Sequence, residues 1–259
     1  MFLTWLDVNT WLIELASCRI LVDPWLVGPQ MFGNLDWLFK GIRSNPRPIP
    51  ERIDLILLSQ GLEDHTHRAT LAKLDHTIPV VASPSAAKVV EELGYTRITA
   101  LAPGETFTLR DNLQIKATPG APLGPRVVEN GYILKALPEG LSLYYEPHGF
   151  PDASLKQAGP IDVVITPVID LTLPLIGPII RGRKGSTELA AWLNPQYILP
   201  TALEGDAKYT GLLASLIKAV GSADDLRTHL AEQKLSAQVL EPKPGDRTEL
   251  TIQPRSVAA

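Results

Sequence analysis

The stretch from Asp54 to His67, Asp-Leu-Ile-Leu-Leu-Ser-Gln-Gly-Leu-Glu-Asp-His-Thr-His, constrains this chain more than any other. Its apolar run, Leu55 to Leu58, is bounded by Asp54 before it and by Ser59-Gln60-Gly61 after it. So short a run without polar alternation fits a strand covered on both faces, as in α/β folds. Polar and ionisable side chains then crowd its C-terminal end: Gln60, Glu63, Asp64, His65 and His67. Such folds place their chemistry there, because the strand end is rigid and the loop beyond it is free to vary.

The rest of the chain supplies the frame. At 259 residues it can bury roughly 70–75% of its unfolded surface, enough for one substantial core. No Ser- or Gly-rich linker interrupts it, so a single domain over 1–259 is expected, with 253–259 as a flexible tail. Apolar residues at 45% and charged residues at 20% suit a soluble globular protein. A formal charge of -4 gives no electrostatic reason to expect nucleic acid or an anionic membrane as the main partner. The lone cysteine, Cys18, excludes an internal disulfide and a Cys-based zinc cage. It falls in strand-like sequence and reads as a small buried apolar residue. Asp7 and Glu14 interrupt the apolar start and no basic segment precedes it, so no secretion signal is read. No run approaches the roughly 20 apolar residues of a membrane span, and a cytoplasmic protein is expected.

Taken in order, 2–6, 10–15 and 19–22 read as strands. The segment 25–50 reads as a long loop whose aromatics, Trp25, Phe32, Trp37 and Phe39, tuck it onto the core or wall a substrate site. Residues 67–74 read as a helix, 79–82 as a strand, and 83–93 as a helix capped by Ser83, opened by Pro84 and stopped at Gly94. Strands follow at 97–101, 106–109, 113–117, 132–136 and 141–145. A short helix at 152–158 and a buried strand at 161–166 come next. The Pro- and Gly-broken apolar stretch 167–180 reads as a loop packed on the sheet, or as an exposed flap for self-association or a membrane surface. A helix at 186–193 capped by Ser186, a strand at 197–199, helical sequence at 211–219 and 224–234, and strands at 238–240 and 248–252 complete the chain.

The Asp54–His67 run resembles the strand-end motif of the metallo-β-lactamase superfamily, His-x-His-x-Asp-His after an apolar strand and a Ser or Thr. The opening block, from Thr4 through Asp23-Pro24-Trp25 to Leu26, resembles the ascorbate-phosphate lactonase-like branch, with Asp7-Val8 where members carry Gly-His. The resemblance implies a mixed α/β (α+β) protein, a four-layer αββα sandwich. Asp64 and His65 match the motif's Asp-His pair, and Asp23 matches a residue that supports the ligand loop without binding metal. The remaining ligand positions are degenerate: Gln60 and Leu62 stand for the first two histidines, and Ala121 and Thr201 fall where two more are expected. Glu146 stands where a metal-bridging Asp is usual, and His148 has no common counterpart.

A two-cation hydrolase site needs about six to seven N/O ligands, which this set does not supply. Leu62 can offer no lone pair, and Gln60 offers only an amide oxygen suited to hard cations. The sequence therefore favours a non-catalytic binding or scaffold protein for a small molecule or protein, with no cofactor assigned. The alternative is a divergent hydrolase of an ester, lactone or phosphodiester, with one divalent cation at Asp64, His65 and Glu146 and His67 or His148 as fourth ligand. Without a cation, Asp64 and His65 would be a hydrogen-bonded pair and His67 a helix cap. No Walker-type loop and no Gly-x-Ser-x-Gly elbow is present.

Overall fold

In the computed structural model, which describes residues 1–123 and 127–255, strand Leu55–Leu58 lies inside a seven-stranded sheet and is fully buried. Its alternation is hidden because both faces are covered. Leu55 and Leu57 enter a core between two sheets, while Ile56 and Leu58 enter a second core under helices. This first sheet runs, edge to edge, Arg247–Glu249, Phe2–Asp7, Thr10–Leu15, Cys18–Val22, Leu55–Leu58, Val80–Ala82, Ile98–Ala100. Helix Pro84–Glu92 covers its outer face; the Ser83 hydroxyl accepts the Ala86 N–H as its cap.

The second seven-stranded sheet runs Gln238–Val239, Tyr197–Pro200, Val163–Thr166, Ser142–Tyr145, Val127–Ala136, Leu113–Leu123, Thr106–Leu109. Helices Gly182–Leu193 and Ala223–Glu232 pack on its outer face through Leu189, Leu193, Leu226 and Leu230. The inner faces meet through Trp11, Ile13, Ile20, Leu55 and Leu57 from one sheet and Ile115, Tyr132, Leu134, Tyr145 and Val163 from the other. Helices outside two facing sheets make the expected αββα sandwich.

Several boundaries differ from the sequence reading. The strand at 113–117 extends to Leu123 and pairs with Val127–Ala136 in the second sheet, and the last strand is Arg247–Glu249, which lies in the first sheet beside Phe2–Asp7. Helix Gly182–Leu193 starts before Ser186, which sits inside it with its hydroxyl on the Arg183 carbonyl. The stretch 167–180 contains a hairpin, Asp170–Leu173 with Gly177–Arg181, joined on its other edge by Lys218–Val220. The segment 25–50 is not all loop. Lys40–Arg43 pairs with Gln30–Met31 on one side and Ala207–Thr210 on the other in a three-stranded sheet. Gln253 and Arg255 are hydrogen-bonded to Gln196 and to Asp162, Ile161 and Asn194; the rest of the expected tail, 256–259, lies outside the described residues.

Candidate functional site

Parallel strands Cys18–Val22 and Leu55–Leu58 end side by side, which sets Asp23 against Ser59. Asp23 is fully buried in the left-handed backbone region at φ 42°, with every oxygen used. Oδ1 accepts the Ser59 N–H at 2.8 Å. Oδ2 faces the Ser59 hydroxyl at 2.5 Å, the Tyr145 hydroxyl at 2.6 Å and His65 Nδ1 at 2.7 Å. A carboxylate so surrounded by donors is an orienting group. It fixes the His65 proton on Nδ1 and turns Nε2 the other way.

His65 Nε2 faces Asp64 Oδ2 at 3.2 Å and the Asn9 amide at 3.5 Å. Burial works against a charged His65, but the Asp64 and Asp23 carboxylates outweigh it and push the imidazole up to about 10, so a cation on Nε2 would have to displace the proton that faces Asp64. Burial likewise opposes the Asp64 charge, yet the adjacent His65 holds that carboxyl below its usual range. Asp64 Oδ1 is buried and has no hydrogen-bond partner. A carboxylate oxygen left so is costly unless a cation or donor completes it.

His148 comes in from the second sheet. Its ring centroid lies 4.8 Å from that of His65, and Gln60 Nε2 contacts its Nε2 at 3.1 Å. Burial, reinforced by the His65 charge and opposed by Asp64, drives His148 down to about 3, so it is a neutral imidazole. Among the described residues, Asp64, His65 and His148 form a group able to hold one metal ion, their donor atoms within 4.8 Å of one another. Neighbouring ligands on a tetrahedral cation with bonds of about 2.1 Å stand about 3.4 Å apart, so binding would draw this group inward.

The other sequence candidates have different work. The Glu146 oxygens accept the backbone N–H groups of His148, Gly149 and Phe150 at 3.0, 2.6 and 2.9 Å, which wraps the loop that presents His148. Gly149 is required there, at φ 75°, because a Cβ would lie 2.6 Å from the Arg181 backbone. Burial raises Glu146 to about 7 against those three bonds. His67 caps helix Arg68–Leu71: Nδ1 accepts the Thr70 N–H at 3.2 Å, and Nε2 donates to the Pro29 carbonyl at 3.1 Å. Both its nitrogens are thus occupied away from the cluster, and burial holds it below the usual histidine range. Leu62 is a partly exposed side chain, 41% accessible, and its carbonyl accepts the His65 and Thr66 N–H groups. Thr201 accepts the Trp11 indole N–H and donates to the Val8 carbonyl. Ala121 is buried in strand Leu113–Leu123.

Asn9, Ser59 and Tyr145 escaped sequence reasoning, and so did Glu129. Asn9 and Tyr145 lie far from the motif in sequence and acquire meaning only when the two sheets meet. Buried Glu129 accepts the Ser85 hydroxyl, which itself accepts the Gly61 N–H and so steadies the turn after Gln60. The small sheet of Gln30–Met31, Lys40–Arg43 and Ala207–Thr210 packs beside this corner. Trp25 lies 6.3 Å from His67 and 6.5 Å from Tyr209, ring to ring, and the Arg43 guanidinium sits 4.2 Å over Trp25. Two surface concavities lie elsewhere, one lined by Leu230 and Leu240, the other by Ile49 and Leu74. Neither carries ionisable groups arranged as these are, so donor chemistry and not concavity locates the site.

No curated protein matches the chain by sequence. Among solved structures, a metallo hydrolase from the archaeon Ignicoccus hospitalis superposes with a TM-score of 0.67 at 15% identity, covering 97% of this chain and 99% of its own. The isothiocyanate hydrolase from Delia radicum gut bacteria gives 0.68 at 17% identity, covering 98% and 100%. These likenesses concern the fold. The family model of the β-lactamase superfamily domain matches residues 2–202, a span that holds Asp23, the Asp64-His65 pair and His148, and the chain belongs to that family.

Proposed function

We propose that this protein binds a single divalent cation between Asp64, His65 and His148 and is a divergent hydrolase of ester, lactone or phosphodiester bonds. The observation that carries the reading is the buried, unpartnered Asp64 Oδ1 beside a histidine oriented from behind by Asp23. Glu146 and His67 are already committed to backbone groups, and among the described residues the cluster offers one three-donor set, which suits one cation. A divalent cation bound there would acidify water and polarise a carbonyl or phosphoryl oxygen. The chain's own part is orientation: Asp23 keeps His65 Nε2 pointed inward, and Glu146 shapes the loop carrying His148.

Titration with Zn²⁺ and Mn²⁺, read by calorimetry and elemental analysis, should give one equivalent, removable by chelator without unfolding. Asp64→Ala and His148→Ala should each abolish that equivalent while the circular dichroism stays native. Two equivalents surviving dialysis, or binding indifferent to both substitutions, would overturn the reading. The second reading is a non-catalytic binding or scaffold protein, favoured by the Gln60 amide lying on the His148 nitrogen where a ligand would approach. One bound cation with no turnover of a lactone, a nitrophenyl ester or a bis-nitrophenyl phosphate would select it.

A further inference from the structure

An exposed apolar rim runs along the small sheet and the hairpin. Helix Leu212–Leu216, Leu-Leu-Ala-Ser-Leu, has no buried residue although all but one of its side chains are apolar. Its first N–H groups bond the Trp37 and Leu38 carbonyls, which joins it to the loop carrying Trp37, 62% accessible. At its other end the chain enters Lys218–Val220, which pairs with Asp170–Leu173 and so leads to the hairpin tip. Leu173 and Ile180 anchor that hairpin in the protein, while Leu175 and Ile176 at the tip are 108% and 71% accessible. Leu175 also takes the left-handed conformation at φ 66°, a strained one for such a side chain. The fold tolerates that strain to hold a leucine wholly in water.

The charge around this rim is opposite to that of the whole chain, which is -4. Segments 31–43, 170–184 and 207–220 carry Lys40, Arg43, Arg181, Arg183, Lys184, Lys208 and Lys218 against two acids, Asp36 and Asp170, and Lys184 also pairs with Glu188. Arg43 is buried under Trp25, but Lys184, Lys208 and Lys218 are exposed. Lys208 shares the outward face of the small sheet with Ile42, itself 46% accessible. Exposed leucines, isoleucine and tryptophan ringed by lysine and arginine are the combination that seats a protein in the headgroup layer of an anionic membrane. A second copy would bring the same positive charge against itself.

We propose that this rim docks on an anionic phospholipid bilayer without spanning it, with Leu175, Ile176, Trp37, Leu212 and Leu216 entering the interface. The proposal is independent of the cation site, since its readout is partition and not turnover. Flotation with vesicles of phosphatidylcholine alone, and with about a third phosphatidylglycerol, should show binding to the anionic vesicles only, weakening as salt rises. The double variant Leu175→Ser/Ile176→Ser should reduce partition about tenfold or more, and Lys208→Glu/Lys218→Glu should abolish the preference for anionic lipid. Because these side chains are exposed, both variants should keep the parent's unfolding midpoint. Light scattering should give a monomer for parent and variants alike. The proposal fails if the parent does not float with anionic vesicles at low salt, or if Leu175→Ser/Ile176→Ser floats as well as the parent. It also fails if the parent is a dimer that this variant converts to monomer without any vesicle binding.

Discussion

At the scale of single residues the site is governed by Asp23. Its carboxylate collects donors from two strand ends: Ser59 and His65 follow Leu55–Leu58, and Tyr145 closes Ser142–Tyr145. Asp23→Asn removes the charge and turns an N–H₂ toward groups that themselves donate. Breaking a buried pair of this kind costs about 3–5 kcal/mol, and loss of an orienting partner lowers metal affinity by about 10–100-fold. Urea unfolding and cation titration of Asp23→Asn should show both losses, whereas an unchanged urea midpoint would mean that Asp23 is not the hub described. The family resemblance singled out Asp64, His65 and a supporting role for Asp23, because these lie in contiguous motifs. It could not say which of Glu146, His67 and His148 would join them. All three are polar residues near strand ends, and the choice depends on backbone N–H groups that only the folded loops bring into range.

At the scale of elements, legibility follows length and locality. Leu55–Leu58 and the helix at Pro84–Glu92 were readable because an apolar run or a Ser-Pro cap declares itself within a few residues. The three-stranded sheet was not readable. Its strands Gln30–Met31, Lys40–Arg43 and Ala207–Thr210 are each too short for periodicity to register, and the last lies most of the chain away. Its centre depends on Gly41, where a Cβ would lie 2.8 Å from the Tyr209 ring and 3.1 Å from that of Trp25. Gly41→Val should push those rings apart at about 1–3 kcal/mol. Hydrogen exchange should then quicken in 40–43 and 207–210 and stay slow in 55–58; uniform protection in both regions would contradict the packing described.

At the scale of the molecule, the two sheets are not two consecutive halves of the chain. Strand Arg247–Glu249 returns from the end of the sequence to pair with Phe2–Asp7, Arg247 forks onto Glu14, and Leu250 is buried in the central core. A chain ending at Asp246 would lose the burial of Leu250, about 1.5–3 kcal/mol, and bare the edge of Phe2–Asp7 to other chains. Such a truncation should unfold at lower urea and scatter light on standing. A truncated protein as stable and monodisperse as the parent would show that this edge needs no cover.

The same closure has a consequence for synthesis. Strand Phe2–Asp7 leaves the ribosome long before Arg247–Glu249, the strand that covers its outer edge. Contacts of such long sequence separation are late and slow to form. Until that strand emerges the nascent chain presents the unpaired edge of Phe2–Asp7, and it is the kind of client that holding chaperones engage before release.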